Sequence, residues 1–165
     1  MKFSEVLGHE HLKNHLVQST NNGRISHAQL FVGKEGCGVL PMALAYAQYI
    51  LSFNSEDKEA SELKCTKLMH PDLHFAFPVA TNDRVKSHPV SNLFLEDWRE
   101  FIAKNPYGNL FEWLQHIGVE NKQGQMVTST NYNVTSLFKL KKEVDFENED
   151  FEETSLFVQE MVFVD

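Results

Sequence analysis

Residues 28–47 read Ala28-Gln29-Leu30-Phe31-Val32-Gly33-Lys34-Glu35-Gly36-Cys37-Gly38-Val39-Leu40-Pro41-Met42-Ala43-Leu44-Ala45-Tyr46-Ala47. The first five form a short apolar run stopped by glycine, the pattern of a buried parallel strand. A glycine-rich loop follows over residues 33–38, and a helix should begin at once after it. Leu40, Ala43, Leu44, Ala47, Ile50 and Leu51 recur at the spacing of one helical face, while Met42, Ala45 and Tyr46 make the other side apolar as well. A helix of that kind is buried on most of its faces. Pro41 fits its first turn, where the missing amide had no partner to lose. Strand, glycine loop and helix in this order predict an α/β fold with parallel strands and flanking helices.

The same loop is the candidate site. A phosphate loop needs a glycine, four residues, a second glycine, a lysine and then Ser or Thr, set between a strand and a helix. The glycines let backbone amides turn inward around a phosphate, and the helix start adds partial positive charge. Gly33 and Gly38 have this spacing, with Gly36 between them, but Val39 stands where the lysine belongs and Leu40 where the hydroxyl belongs. The lysine balances charge on the β and γ phosphates and the hydroxyl ligates magnesium; valine and leucine do neither. Lys34 sits at the wrong end of the loop to replace them simply. The site residues Gly33, Lys34, Glu35, Gly36, Cys37, Gly38, Val39 and Leu40 thus form a degenerate phosphate loop with no catalytic residue, and ATP hydrolysis is not expected. The two glycines alone are a weak signal, since any glycine turn between a strand and a helix would show them.

Upstream, residues 3–20 predict a short lead-in and a helix with Leu12, Leu16 and Val17 inward and Lys13, Asn14 and Gln18 toward water. Asn21-Asn22-Gly23 should close that helix, Gly23 serving as a left-handed cap. Downstream, the polar residues 52–68 read as a surface connection or a small exposed insertion. Leu73, Phe75 and Phe77 alternate between Pro71 and Pro78, which marks a strand with one apolar face. After a loop over 80–92, Phe94, Trp98, Phe101 and Ile102 outline one helix, ended by Asn105-Pro106. Leu110, Trp113, Leu114 and Ile117 outline another. Past residue 124 the pattern weakens, although 127–130, 134–138, 156–158 and 162–164 are β-prone.

The chain has 165 residues, 42% hydrophobic and 23% charged, enough for one domain with a real core. Most of the net charge of -8 comes from residues 141–165, where Glu143, Asp145, Glu147, Glu149, Asp150, Glu152, Glu153, Glu160 and Asp165 face only Lys141 and Lys142. The rest is close to neutral and lacks the basic stripe that direct contact with nucleic-acid phosphates requires. No apolar run is long enough to span a membrane, and the opening residues lack the apolar stretch of a secretion signal. The cysteines Cys37 and Cys65 are too few for a disulfide framework, which fits a reducing cytoplasm.

Other constellations have simpler explanations. His11 and His15 are four apart on a helix but lack a third ligand, so a solvated helix face accounts for them. Cys65, His70 and His74 have loosely ligand-like spacing, dispersed by Pro71 and the strand. Trp98, Phe101, Phe111 and Trp113 could stack on bases, but helical spacing makes them core. No Ser, His and acid set has the spacing of a nucleophilic triad. The acidic end could mimic nucleic acid or bind a basic partner, but such a run is more often simply solvated.

Taken together, Phe3, Val6, Leu7, Gly8, Leu12 and Leu16, then Gly23-Arg24-Ile25-Ser26-His27-Ala28 leading into the strand, resemble the opening of bacterial clamp-loader ATPase domains of the AAA+ superfamily. His9 stands where that family has Gln. Met69-His70-Pro71-Asp72-Leu73 is similar to the family's His-Pro-Asp segment, and loss of the loop's Lys and Thr is typical of its delta-prime subunits. Residues 92–124 resemble an insertion found in one bacterial branch of that subunit type. The resemblance covers residues 1–124, with the insertion at about 80–120, and implies part of a P-loop, RecA-like domain. Residues 125–165 remain an unassigned acidic tail. The Walker B strand, the Ser-Arg-Cys motif, the lid and the collar have no counterpart, which implies a truncated chain or a reading frame that diverges after about residue 124. Of four zinc-binding cysteines common in the family only Cys65 is present, so neither zinc nor ATP is expected as a cofactor.

The function implied by this resemblance is that of a non-catalytic delta-prime-like subunit of the DNA polymerase III clamp loader. Its partners would be the gamma/tau and delta subunits and, through the complex, the sliding clamp. DNA would be reached only indirectly, in the cytoplasm and without a membrane. Two alternatives stand beside it: an active gamma/tau-type ATPase of the same superfamily, and a free-standing interaction module that reuses a broken phosphate loop.

Overall fold

A computed structural model describes residues 1–53 and 55–119 together with the backbone of two strands, 135–141 and 153–159. A single 3-10 turn at Phe3–Glu5 leads to α1 (Glu10–Asn21). The helix ends as expected: the Gly23 amide donates to the Thr20 carbonyl and the Arg24 amide to the Ser19 carbonyl, with Gly23 at φ +67°. These paired bonds satisfy carbonyls that the helix end would leave orphaned.

The inward face of α1 differs from expectation. Lys13, Leu16 and Thr20 are buried, whereas Leu12 is 41% exposed. The Lys13 ammonium donates to the Val6 carbonyl and to Glu10 Oε1, each at 2.7 Å, so the charge is satisfied while its stem packs inward. The Thr20 hydroxyl is likewise satisfied, donating to the Leu16 carbonyl one turn back.

Strand β1 (Ala28–Phe31) feeds the loop, and α2 (Val39–Phe53) follows it, buried from Pro41 through Gln48 as its all-round apolar sequence requires. Phe31 packs on Tyr46 with ring centroids 6.1 Å apart, and Gln29 Nε2 donates to the Tyr46 hydroxyl. The opposite face of β1 is open: Leu30 and the following Val32 are exposed, so the expectation of a strand buried on both faces fails. The reason is that α2 takes up only the side bearing Gln29 and Phe31.

Residues 52–68 are not a plain connection but contain α3 (Lys58–Thr66), packed against α2. Asp57 caps it by accepting from the Ala60 amide, and Ser61 and Cys65, one turn apart, are its buried residues. After β2 (Leu73–Ala76), a 3-10 turn at Ser91–Phe94 leads to α4 (Leu95–Lys104) and α5 (Leu110–His116). These two helices match their apolar spacing, with Trp98, Phe101, Ile102, Trp113 and Leu114 buried.

Strands β3 (Thr135–Lys141) and β4 (Glu153–Gln159) contain 135–138 and 156–158 of the β-prone stretches; residue 134 and the other two stretches, 127–130 and 162–164, lie outside the described residues. The strands form one sheet in the order β1-β4-β3-β2. Phe31 pairs with Val158 in the parallel β1–β4 ladder, Leu73 with Leu140 and Thr135 with Gln159 in antiparallel ladders. The sheet is therefore mixed rather than parallel throughout. Only residues 142–152 separate β3 from β4, enough for an antiparallel return but short for a helical crossover. Residues with no role assigned from sequence thus supply the two central strands.

Candidate phosphate-loop site

The loop is held from three sides. Its turn is closed by the Cys37 amide donating to the Lys34 carbonyl at 3.1 Å, and α2 begins with the Met42 amide donating to the Gly38 carbonyl at 3.0 Å. Gly36 and Gly38 have φ of +73° and +91°, conformations that side chains oppose and glycine accepts. From the amino-terminal segment, His9 Nε2 donates to the Cys37 carbonyl at 3.0 Å. His9 is itself left-handed at φ +58°, next to Gly8 at +64°, so the segment bends sharply just before α1.

The side chains at the two decisive positions are apolar and half-buried. Val39 and Leu40 pack against the core and also line the cleft beside the loop. A methyl of Val39 lies 2.6 Å from where a Cβ on Gly33 would stand, and the Cys37 sulfur is closer still. Gly33 is therefore required by space, and the hollow beside it is filled by the loop's own side chains. Lys34 and Glu35 are exposed. The site thus has backbone donors at a helix start but neither a cation in the lysine position nor a hydroxyl for a metal.

Opposite the loop stands an aromatic layer built by α4, α5 and Phe77, just after β2. Phe77 stacks on Trp98 with centroids 4.4 Å apart, and Trp113 meets both edge-on. Phe111, expected with them in the core, is instead 56% exposed. It falls on the outer face of α5, whereas Trp113 and Leu114 face in. A narrow cleft between loop and layer is lined by Lys34, Gly36 and Gly38 on one wall and Trp98, Pro106 and Tyr107 on the other. Tyr107 was not among the residues singled out by sequence. Asn105-Pro106-Tyr107-Gly108 announces a turn, but no local signal says what the turn touches.

Elsewhere, His11 and His15 are exposed on α1, and Cys65 is buried. Among the described residues no three His, Cys, Asp or Glu side chains gather in a way that could hold a metal ion. His70 Nδ1 accepts from the Asp72 amide at 3.2 Å, so the His-Pro-Asp segment folds on itself as a small turn ahead of β2. No helix among the described residues is long and apolar enough to cross a membrane.

A mixed sheet whose first strand runs through a glycine loop into a buried helix defines the class: an α/β protein with a glycine-rich turn between its first strand and a buried helix. Residues 8–134 match the family described as DNA polymerase III, delta subunit, and the chain belongs to that family. The match runs on past residue 124. It gives the protein a clamp-loader-related role in DNA replication. No curated protein and no solved structure matches the chain.

Proposed function

We propose that the protein is a delta-prime-like subunit of the clamp loader that does not hydrolyse ATP, built on a P-loop, RecA-like domain whose phosphate loop is degenerate. The observation that carries this reading is the placement of Val39 and Leu40. Both are half-buried apolar side chains at the positions where phosphate chemistry needs a cation and a magnesium-binding hydroxyl. Such a subunit contributes rigidity and contacts to its partners rather than turnover. Its partners are the gamma/tau and delta subunits, with the sliding clamp and DNA reached through the complex, in the compartment where the chromosome is copied.

Two measurements on the purified protein test it. ATP turnover should be absent from the wild type, and co-purification should recover other clamp-loader subunits. Turnover by the wild type would instead support a gamma/tau-type ATPase, and a stable fold that captures no replication protein would support a free-standing interaction module. Restoring both lost groups, with Val39→Lys and Leu40→Thr together, is the change with a chemical rationale for creating turnover.

A further inference from the structure

We infer that the turn between α4 and α5 is an internal plug for the phosphate loop, with the Tyr107 ring occupying the space in front of the α2 amino terminus that a bound phosphate would need. This inference rests on reading residues 33–40 as a degenerate phosphate loop. The ring lies against the loop backbone: a Cβ on Gly38 would stand 3.0 Å from Tyr107 Cε1. The same side chain reaches the other flank of the site, because its hydroxyl accepts from the Leu7 amide at 2.8 Å. Tyr107 therefore bridges the amino-terminal segment and the start of α2.

The plug stands on a firm base. The Gly108 amide donates to the Asn105 carbonyl at 3.0 Å, and Gly108 has no room for a side chain, since a Cβ there would meet Asn105 O at 3.1 Å and the Phe101 ring closer still. Asn109 and Glu112 cap α5 reciprocally, the Asn109 side chain accepting from the Glu112 amide and Glu112 from the Asn109 amide. Asn105 Nδ2 also donates to Glu112. Behind the turn, Phe101 and Trp113 fix both helices in the aromatic layer. A half-buried ring lining the cleft, carried on so short and braced a turn, shields the loop amides instead of completing the core. The turn then takes the place that a ligand would occupy against the loop.

The test is hydrogen exchange on the full chain, in the wild type, Tyr107→Ala and Tyr107→Phe, each with and without inorganic phosphate. Tyr107→Ala should speed exchange of the amides of residues 36–40 and of Leu7 by roughly tenfold or more, while the α5 amides around Trp113 stay protected. Tyr107→Phe keeps the ring and drops the hydroxyl, so it should speed Leu7 alone. Phosphate should leave the wild-type loop amides unchanged. The plug is overturned if Tyr107→Ala leaves residues 36–40 as slow as before, or if protection falls evenly across α4 and α5. It is equally overturned if phosphate protects the wild-type loop with the ring in place. ATP turnover and subunit capture decide the proposed function separately, so either idea can fail without the other.

Discussion

The Trp113 indole nitrogen donates to the Pro78 carbonyl across 2.7 Å, and this bond fastens α5 to the chain just beyond β2. Trp98, in edge-on contact with the same ring, is also buried, but its indole nitrogen has no hydrogen-bond partner among the described residues. The two tryptophans thus differ mainly in polar satisfaction. Trp113→Phe removes a made bond and strands the Pro78 carbonyl, which costs about 1–3 kcal/mol on top of the lost packing. Trp98→Phe gives up similar packing but also removes an unsatisfied donor, so its cost should be smaller. Urea denaturation of the two variants gives the comparison, and a larger loss from Trp98→Phe would contradict the account.

The aromatic layer was legible in the sequence because α4 and α5 repeat large apolar residues at helical spacing, and the loop was legible because Gly33, Gly36 and Gly38 sit between an apolar run and an apolar helix. What was not legible depended on distant partners. The phase of α1 turned on whether Lys13 could find acceptors, and Val6 supplies one from outside the helix. Helix α3 is held by only two buried residues, Ser61 and Cys65, too few to make a periodic signal in so polar a segment. The sheet order needs β4 to reach back to β1, a pairing that no local window contains. Tyr107 meets Gly38 only because two helices carry it there.

Lys13 gives a second prediction. Its ammonium holds the Val6 carbonyl in a buried position, whereas its ion-pair partner Glu10 has a side chain 75% exposed. Lys13→Met keeps the stem and loses the donor, leaving the Val6 carbonyl unmatched at a cost of about 1–3 kcal/mol. Glu10→Gln removes only the exposed half of the ion pair and should cost less than about 0.5 kcal/mol. Equal losses for the two variants, measured by denaturant midpoint, would show that the ion pair rather than the carbonyl bond matters.

The two cysteines should behave differently. Cys37 is exposed in the loop, while Cys65 is buried and, chiefly through that burial, its thiol is pushed up to about 11 from an ordinary 9.0. At pH 8 a thiol reagent should modify Cys37 promptly and Cys65 only as fast as the protein opens. The sign of the pH effect follows: between about pH 9 and 11 the unfolded chain has lost the Cys65 proton and the native chain still holds it. Native stability from this group is therefore intact below pH 9 and declines as pH rises toward 11. Cys65→Ala should flatten that decline, which thermal unfolding across the window would reveal; an unchanged slope would assign the alkaline loss to other groups.

The loop glycines separate two physical causes. Gly36 has φ +73° with open space where a side chain would go, so Gly36→Ala meets only backbone strain, about 1–2 kcal/mol. Gly33 is not left-handed, but a Cβ there would collide with the Val39 methyl and the Cys37 sulfur. Both are short side chains with little freedom to move aside, so Gly33→Ala should cost more than Gly36→Ala, in the range of about 1–3 kcal/mol typical of overpacking or above it. Relief of the clash is the deciding control. Adding Val39→Ala and Cys37→Ala to Gly33→Ala should recover part of the loss, because both colliding groups are then gone, whereas the same pair added to Gly36→Ala should recover nothing. Denaturant midpoints for these variants report the difference directly. If Gly36→Ala proves the costlier, or the added alanines rescue neither, the hollow beside Gly33 is not filled by its own loop.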